Sequence, residues 1–247
     1  MWTTADDIYG SFLDGIRRTS QTVVKKAKFS RIWNDWALNR WVKENLSIKE
    51  GLDLTDKQRM DLDPLIVLTD GKYRYEDSTV LSAITPASWT TNVFIMPDGV
   101  TAISNESGVD IIYPNCKRIT KVWFKIDSSS TYVKGTPFKA IDEDFITKSK
   151  YSAPSTELPY YRVRNGKIEL ITASGSLGTA MKLEYIMYPN VMTYVSATNS
   201  LSYTLNFGQD QLEEIRDIAV RLYLERIKDP RWQSFLQEDM LKNIIQQ

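Results

Sequence analysis

The sequence lacks histidine, contains a single cysteine and has no apolar run long enough to cross a bilayer. Histidine is the commonest general base and metal ligand, so a nucleophile here would depend on lysine, a carboxylate or a terminal amine. Cys116 cannot form an intrachain disulfide, and no charged-then-apolar leader follows Met1. These absences disfavour a hydrolase or a membrane protein and predict a chain made and kept in a reducing cytoplasm.

A net charge is also absent, because 31 basic residues balance 31 acidic ones in 247 residues. Bulk nucleic-acid binding is therefore not indicated, and the 42% apolar content is enough for a buried core. One stretch departs from this balance, since residues 17–31 contain no acidic residue. Its cations are Arg17, Arg18, Lys25, Lys26, Lys28 and Arg31. The stretch is either a solvated link between two helices or a surface held against phosphates or an acidic partner.

The first part of the chain, to about Leu46, predicts two amphipathic helices. Thr4 and Asp7 have the spacing of a capping box at the start of the first helix. In the second, apolar side chains recur at helical spacing and include Trp33, Trp36 and Trp41. These tryptophans predict either core packed against the C-terminal helices or an interface anchor, since buried indoles dominate both settings. A short third helix is predicted over 55–62.

The last part of the chain also predicts two helices. Asp210 and Glu213 have capping-box spacing, and an apolar stripe continues from them to Ile227. Asp229-Pro230 ends this helix and begins the next, because proline fits the first turn of a helix but not its interior. Helices are therefore expected at both ends of the chain.

Between the helices the apolar period changes to two, which indicates β-strands. The predicted strands and hairpins are Leu65–Thr69 with Lys72–Tyr75, Val93–Met96 with Val100–Ile103, Ile119–Ile126, Tyr161–Ile171, Met181–Tyr188, Val191–Val195 and Leu201–Leu205. The clearest is the hairpin about Asn165-Gly166, which sets Val163 opposite Ile168 and Arg162 opposite Glu169. A slip of one residue would spoil both faces together.

These elements predict an α+β fold. The helices of 1–62 and 206–247 are expected to form one layer from both termini, with Trp33, Trp36 and Trp41 at the seam. Residues 63–205 are expected to form an inserted antiparallel β region of hairpins, as a sandwich or a barrel-like sheet. The whole is expected to be one continuous module.

The remaining motifs are weak. Gly175-Ser176-Leu177-Gly178 lacks the Gly-Lys-Ser/Thr ending of a phosphate loop and is interpreted as a flexible turn. Asp142-Glu143-Asp144 lacks the regular ligand spacing of a calcium loop and is interpreted as solvated or as a helix start. The Asn105-Glu106-Ser107 sequon is expected to be idle in a chain without a secretory route. We therefore predict no catalytic, cofactor-binding or metal-binding residue.

In the order of its elements the chain resembles the head-to-tail connector (adaptor or neck-ring) proteins of tailed bacteriophages. The likeness is nearest to those of short-tailed crAss-like and related Bacteroidetes phages. It rests on Ile8–Ile16, Phe29–Lys43, Met181–Pro189, Leu212–Ile215 and Arg231–Gln233.

The resemblance implies a structural protein of the virion neck or tail, present in the host cytoplasm during assembly. It implies a homo-oligomeric ring, commonly of about twelve copies, beneath the portal and around the DNA exit channel. The implied partners are the portal protein, other neck or tail proteins and, non-specifically, packaged DNA. The basic stretch of residues 17–31 would then face the channel or an acidic portal surface.

Two other functions remain open from the residues alone. A β-rich module could bind a peptide or glycan with Trp89 and Trp123 as platform residues. An enzyme using lysine and carboxylates would need a cleft that gathers them with strongly shifted pKa values.

Overall fold

A computed structural model describes residues 2–17, 24–46, 62–69, 82–88, 91–127, 129–138, 153–204 and 207–227. The fold is α+β, as predicted, with helices and several mainly antiparallel sheets. Several predicted features lie outside the described residues: all but the last residue of helix 55–62, strand 72–75, Trp89, Asp142–Asp144 and the helix after Pro230.

The chain divides into two units. The first combines Met1–Pro64 with Pro189–Gln247, and the second is Leu65–Tyr188. Residues 189–205, predicted to lie in the β-rich insert, belong to the first unit. The single helical layer stays a prediction.

The described helices of the first unit are α1 (Ala5–Arg17), α2 (Lys26–Arg31), a π-helical segment (Ile32–Leu38), α3 (Asn39–Leu46) and α4 (Gln209–Arg226). The predicted capping box of α1 is confirmed. The Asp7 N–H donates to Thr4 Oγ1 at 3.2 Å, and the Thr4 N–H donates to Asp7 Oδ2 at 2.9 Å. These bonds satisfy amide donors that a helix start leaves open.

The predicted start of α4 is wrong. The helix begins at Gln209 rather than after an Asp210 cap, and the extended residue before it is Gly208. The Gly208 N–H donates to Gln211 Oε1 at 2.9 Å, so a glutamine three residues into the helix does the capping that was assigned to Glu213.

Aromatic side chains form much of the core of the first unit. The Phe12 ring lies 4.7 Å from Phe29 and 6.0 Å from Tyr223, and Phe29 lies 5.9 Å from Trp33, between ring centroids. Trp33 and Trp41 are buried and Trp36 is half-buried. Of the three tryptophans in the predicted stripe, Trp33 and Trp41 are therefore part of the core, whereas Trp36 is partly accessible.

A short hairpin also belongs to the first unit. Its strands are β11 (Thr193–Val195) and β12 (Ser200–Ser202), which pair antiparallel. Before it, Met192 exchanges two hydrogen bonds with the side chain of Asn34 in the π-helical segment, at 2.7 and 2.8 Å. These bonds connect positions 158 residues apart in the sequence.

In its described residues, the second unit contains two four-stranded sheets and a two-stranded ribbon. Its strands are β1 (Ile66–Leu68), β2 (Val93–Ile95), β3 (Ala102–Ser104), β4 (Asp110–Ile112), β5 (Cys116–Ile126), β6 (Val133–Lys134), β7 (Thr136–Pro137), β8 (Tyr160–Arg164), β9 (Lys167–Ile171) and β10 (Gly178–Met187). The sheet orders are β1-β10-β5-β6 and β2-β9-β8-β7, with β3 and β4 as the ribbon. Of the strand pairs that the structure describes in this unit, β7 with β8 is parallel and the others are antiparallel.

The hairpin of β8 and β9 has the predicted register, with Arg162 opposite Glu169 and Val163 opposite Ile168. Asn165 and Gly166 have φ values of 50° and 69°, as the mirror-image turn of a two-residue loop requires. Arg162 and Glu169 form an ion pair across the strands. The turn residues and the cross-strand side-chain pairs therefore favour the same register of this hairpin.

The predicted hairpin of Val93–Met96 with Val100–Ile103 is wrong. Strand β2 pairs with β9, and β3 pairs with β4. The turn itself forms, because Asp98 accepts bonds from the Val100 and Thr101 N–H groups and Gly99 has a φ of 79°. Its flanking strands nevertheless join different sheets, where Phe94 is fully buried 5.6 Å from the Phe124 ring.

The core face of β5 is as predicted. Val122, Phe124 and Ile126 are buried, while Lys121, Trp123 and Lys125 are only half-buried on the opposite face. The strand begins at Cys116, three residues before the predicted start.

Candidate interaction surfaces

The described part of the basic stretch surrounds α2. Lys25 precedes this helix, Lys26 and Lys28 lie in its first turn, and Arg31 is its last residue. Arg17 ends α1, and Arg18 lies outside the described residues. The structure therefore places four of the six predicted cations around one short helix.

Two of these cations have partners within the first unit. Lys26 Nζ lies 2.7 Å from Asp6 Oδ1 and 5.9 Å from the centroid of the Tyr9 ring. Lys28 Nζ lies 5.1 Å from the Tyr223 ring. These contacts hold α2 against α1 and α4, because each amine is drawn to an anion or a π-face on another helix.

Lys25 and Arg31 differ from them. Both are exposed, and neither has a side-chain partner among the residues that the structure describes. Lys28 is exposed as well, although its amine lies against the Tyr223 ring. The role of the basic stretch stays a prediction.

A second surface feature lies beside the π-helical segment. A groove of about 460 Å³ is lined by Trp36, Leu222, Glu225 and Arg226. The Arg226 guanidinium lies 4.3 Å from the Trp36 ring centroid. Stretches of π-helix occur frequently at functional sites, and this groove combines an accessible indole with two opposite charges. Helical spacing had marked Trp36, but the groove depends on α4 and was not predicted.

The third feature is an outward face of the sheet β1-β10-β5-β6, which we call the Trp123 face. Strand pairing puts Lys182 of β10 on one side of Trp123 and Lys134 of β6 on the other. Lys121 and Lys125 stand two residues before and after Trp123, so they point to the same side of the sheet. A half-buried indole is thus surrounded by four lysines.

Two glutamates and a tyrosine order this face. Lys125 Nζ lies 2.5 Å from Glu106 Oε1, and the Tyr132 hydroxyl donates to Glu106 Oε2 at 2.7 Å. Lys121 Nζ lies 3.4 Å from Glu184 Oε1. Lys182 Nζ lies 4.3 Å from the Tyr132 ring centroid. The side chains of Lys121, Lys125 and Lys182 are therefore held in place by contacts with neighbouring residues.

The hydrogen bonds fix the protonation of this cluster. The bond from Lys125, followed by that from Tyr132, holds the pKa of Glu106 below its usual value, so the carboxylate stays ionised at neutral pH. Burial and, after it, the bond to Glu106 raise the pKa of Tyr132, so the phenol keeps its proton and remains a donor. The phenol of Tyr132 is too weakly acidic to act as a general acid or base at neutral pH. The hydrogen bonds of this cluster therefore serve to orient the Lys125 and Tyr132 side chains.

The other predicted motifs take structural positions. The Asn105 side chain is buried and accepts bonds from the Ser107 and Val109 N–H groups, both at 2.9 Å. Burial raises the pKa of the Cys116 thiol to about 12, which leaves it protonated and unreactive. Gly175 has a φ of 87° in a turn, and Gly178 begins β10.

Within the described residues, no group of three or more Cys, Asp and Glu side chains is placed to hold a metal ion. None of the described helices is long and apolar enough to span a membrane. No protein-family model matches the chain, and no curated protein matches it.

Proposed function

We propose that this chain is a virion structural protein that forms a head-to-tail connector ring beneath the portal, around the DNA exit channel. It acts by assembly. The resemblance in the order of elements motivates the proposal. The observation that carries it is that both ends of the chain contribute to one compact unit, while residues 65–188 form a separate β unit. Such a subunit has separate parts with which to contact the portal, the next copy and other neck or tail proteins.

A ring of identical subunits needs two different patches on each copy, because heterologous contacts join unlike surfaces. The first unit offers two distinct accessible features. One is the groove at Trp36 and Leu222. The other is the β11–β12 hairpin, whose Tyr194 and Val195 are 36% and 37% exposed. Trp36 and Tyr194 are of the aromatic types that are enriched at protein interfaces.

Mass photometry of the purified chain, alone and with its portal protein, tests the proposal. We expect a species near twelve times the 28.4 kDa chain mass, formed on the portal even if the free chain is monomeric. Purified particles should contain the chain at a fixed ratio to the portal. A chain that stays monomeric with the portal and is missing from particles would refute the connector role.

Variants separate the ring contacts from folding. Leu222→Glu places a carboxylate in the groove and should abolish the ring species, whereas Glu213→Lys on the exposed side of the same helix should not. Both variants should melt as one folded species, which circular dichroism checks. Equal ring formation by both would remove the groove from the interface.

The basic stretch has its own test in the variant Lys25→Glu/Arg31→Glu. These residues are exposed, and the substitutions leave the Lys26–Asp6 and Lys28–Tyr223 contacts in place. We expect weaker portal docking or DNA retention, with stronger salt dependence in the wild type. Unchanged assembly and packaging would identify the stretch as a solvated link between helices.

A further inference from the structure

The Trp123 face combines a flat aromatic side chain with several lysines. Strand register places Lys134 and Lys182 on either side of Trp123, about 5 Å away at the Cβ atoms. Lys121 and Lys125 flank the indole along the strand, about 7 Å away. Four lysine positions of the sheet thus surround Trp123.

The charges on this face do not cancel. Four lysines stand against Glu106 and Glu184, which leaves an excess of two positive charges. Glu184 is only 8% exposed, and its carboxylate accepts a hydrogen bond from the Thr120 hydroxyl at 3.0 Å and pairs with Lys121. Lys134 is exposed and has no side-chain partner among the described residues. The face is therefore complementary to an anionic ligand.

We propose that the Trp123 face binds a single strand of nucleic acid without sequence preference. Each nucleotide of a single strand offers one phosphate and one flat base, and non-specific binding proteins match these with lysines or arginines and stacking aromatics. A duplex hides the faces of its bases, and an acidic peptide has no repeating flat ring to use the indole. The binding site rests on the β unit and is independent of the connector proposal.

Fluorescence anisotropy with labelled oligothymidylate and oligouridylate tests the site on the full chain. Binding should be weak and strongly salt-dependent, with a dissociation constant of roughly 1–100 μM at physiological salt and tighter binding at low salt. Two to four neutralised phosphates predict a slope of log K against log salt between about −1.4 and −2.8. Similar affinity for both oligomers means that the strand is recognised through bases and phosphates. A large preference for one assigns the cellular source to DNA or RNA.

Two variants test the stacking contribution of Trp123 and the charge contribution of Lys134 separately. Trp123→Ala should weaken binding roughly 5- to 150-fold through lost stacking, while Trp123→Phe should restore most of it. Lys134→Glu on the exposed edge strand should weaken binding several-fold and make the salt slope shallower by about 0.7. Because Lys134 is exposed, that variant tests the site even if Trp123→Ala fails to fold. Lys167→Glu, an exposed lysine on β9 of the other sheet, is the matched control.

The outcomes discriminate between this site and others. Binding that persists in Trp123→Ala and Lys134→Glu but disappears in Lys25→Glu/Arg31→Glu overturns the proposal and assigns binding to the basic stretch. Equal affinity for duplex DNA with no effect of Trp123→Ala also overturns it, as does the absence of binding in low salt. Capture of an acidic peptide with loss in Lys134→Glu, but no capture of either oligomer, would show the face to be a protein-docking surface instead. None of these results bears on ring formation, which mass photometry measures separately.

Discussion

The indole N–H of Trp41 donates a 2.9 Å hydrogen bond to the carboxylate of Glu214, and the two residues lie 173 positions apart. Trp41 is 2% exposed, and its ring lies 5.2 Å from that of Phe207. One side chain thus joins α3 to α4 by burial and by a charge-assisted bond. The helical unit is held together at this point by residues from both ends of the chain.

We expect Glu214→Ala to lower the free energy of unfolding by about 1–3 kcal/mol, because the buried indole N–H loses its acceptor. Urea denaturation measures the change. Glu213→Ala, which removes an exposed carboxylate one residue earlier, should stay within about 0.5 kcal/mol of the wild type. Equal effects of the two substitutions would mean that the Trp41 bond contributes nothing beyond surface charge.

Two glycines of α1 give a matched test of how this helix packs. A Cβ on Gly10 would meet no atom within 4 Å, whereas one on Gly15 would lie 2.9 Å from Val220 Cγ2 in α4. Gly10→Ala should therefore stabilise the protein by about 0.5–1 kcal/mol through helix propensity. Gly15→Ala should destabilise it, because overpacking costs roughly 1–3 kcal/mol.

The control for this prediction is the double variant Gly15→Ala/Val220→Ala. Removing the Val220 methyl groups makes room for the new Cβ, so the two changes should couple by at least about 0.5 kcal/mol. Thermal or urea unfolding of all four proteins gives the coupling. Stabilisation by both single glycine substitutions would contradict the close approach of α1 and α4.

The contrast between two predicted hairpins shows what the sequence determines. At Asn165-Gly166 the turn, the charge pair Arg162–Glu169 and the register all lie within eleven residues, so local chemistry suffices. At Asp98-Gly99 the turn forms, but the partner strand β9 lies about seventy residues away. Turn residues determine where the chain reverses, and only tertiary packing determines which strand pairs with which.

The same limit applies to the candidate surfaces. Alternation along β5 is enough to predict that Lys121, Trp123 and Lys125 share one face of their strand. Lys134 and Lys182 join them only through strand pairing, which a periodic pattern does not reveal. In the basic stretch, the number of charges does not predict the ion pair between Lys26 and Asp6, because contacts between helices depend on the fold.

The sequon asparagine gives a third prediction. Asn105 is 4% exposed, and its side-chain oxygen accepts the N–H groups of Ser107 and Val109. Asn105→Ala leaves two donors without this acceptor and should cost about 1–3 kcal/mol of unfolding free energy. Ser107→Ala destroys the sequon but keeps both backbone donors, so it should be nearly neutral. A large loss in Ser107→Ala alone would contradict this assignment of the side-chain role.

The last prediction concerns acid pH and the turn at Asp98. A bond from the Thr101 hydroxyl, followed by those from the Thr101 and Val100 N–H groups, lowers the pKa of Asp98 to about 2. Because the folded pKa lies below the unfolded value near 3.9, the stabilising contribution is complete above about pH 4 and declines as the pH falls toward 2. Carboxyl chemical shifts followed by NMR should give a midpoint near 2 for Asp98.

Two variants check the origin of this lowered pKa. Thr101→Val removes the hydroxyl bond that lowers the pKa of Asp98 most, so the midpoint should rise toward 3.9. Asp98→Asn should abolish this part of the acid dependence. A wild-type midpoint near 4 would mean that the three bonds do not form in solution.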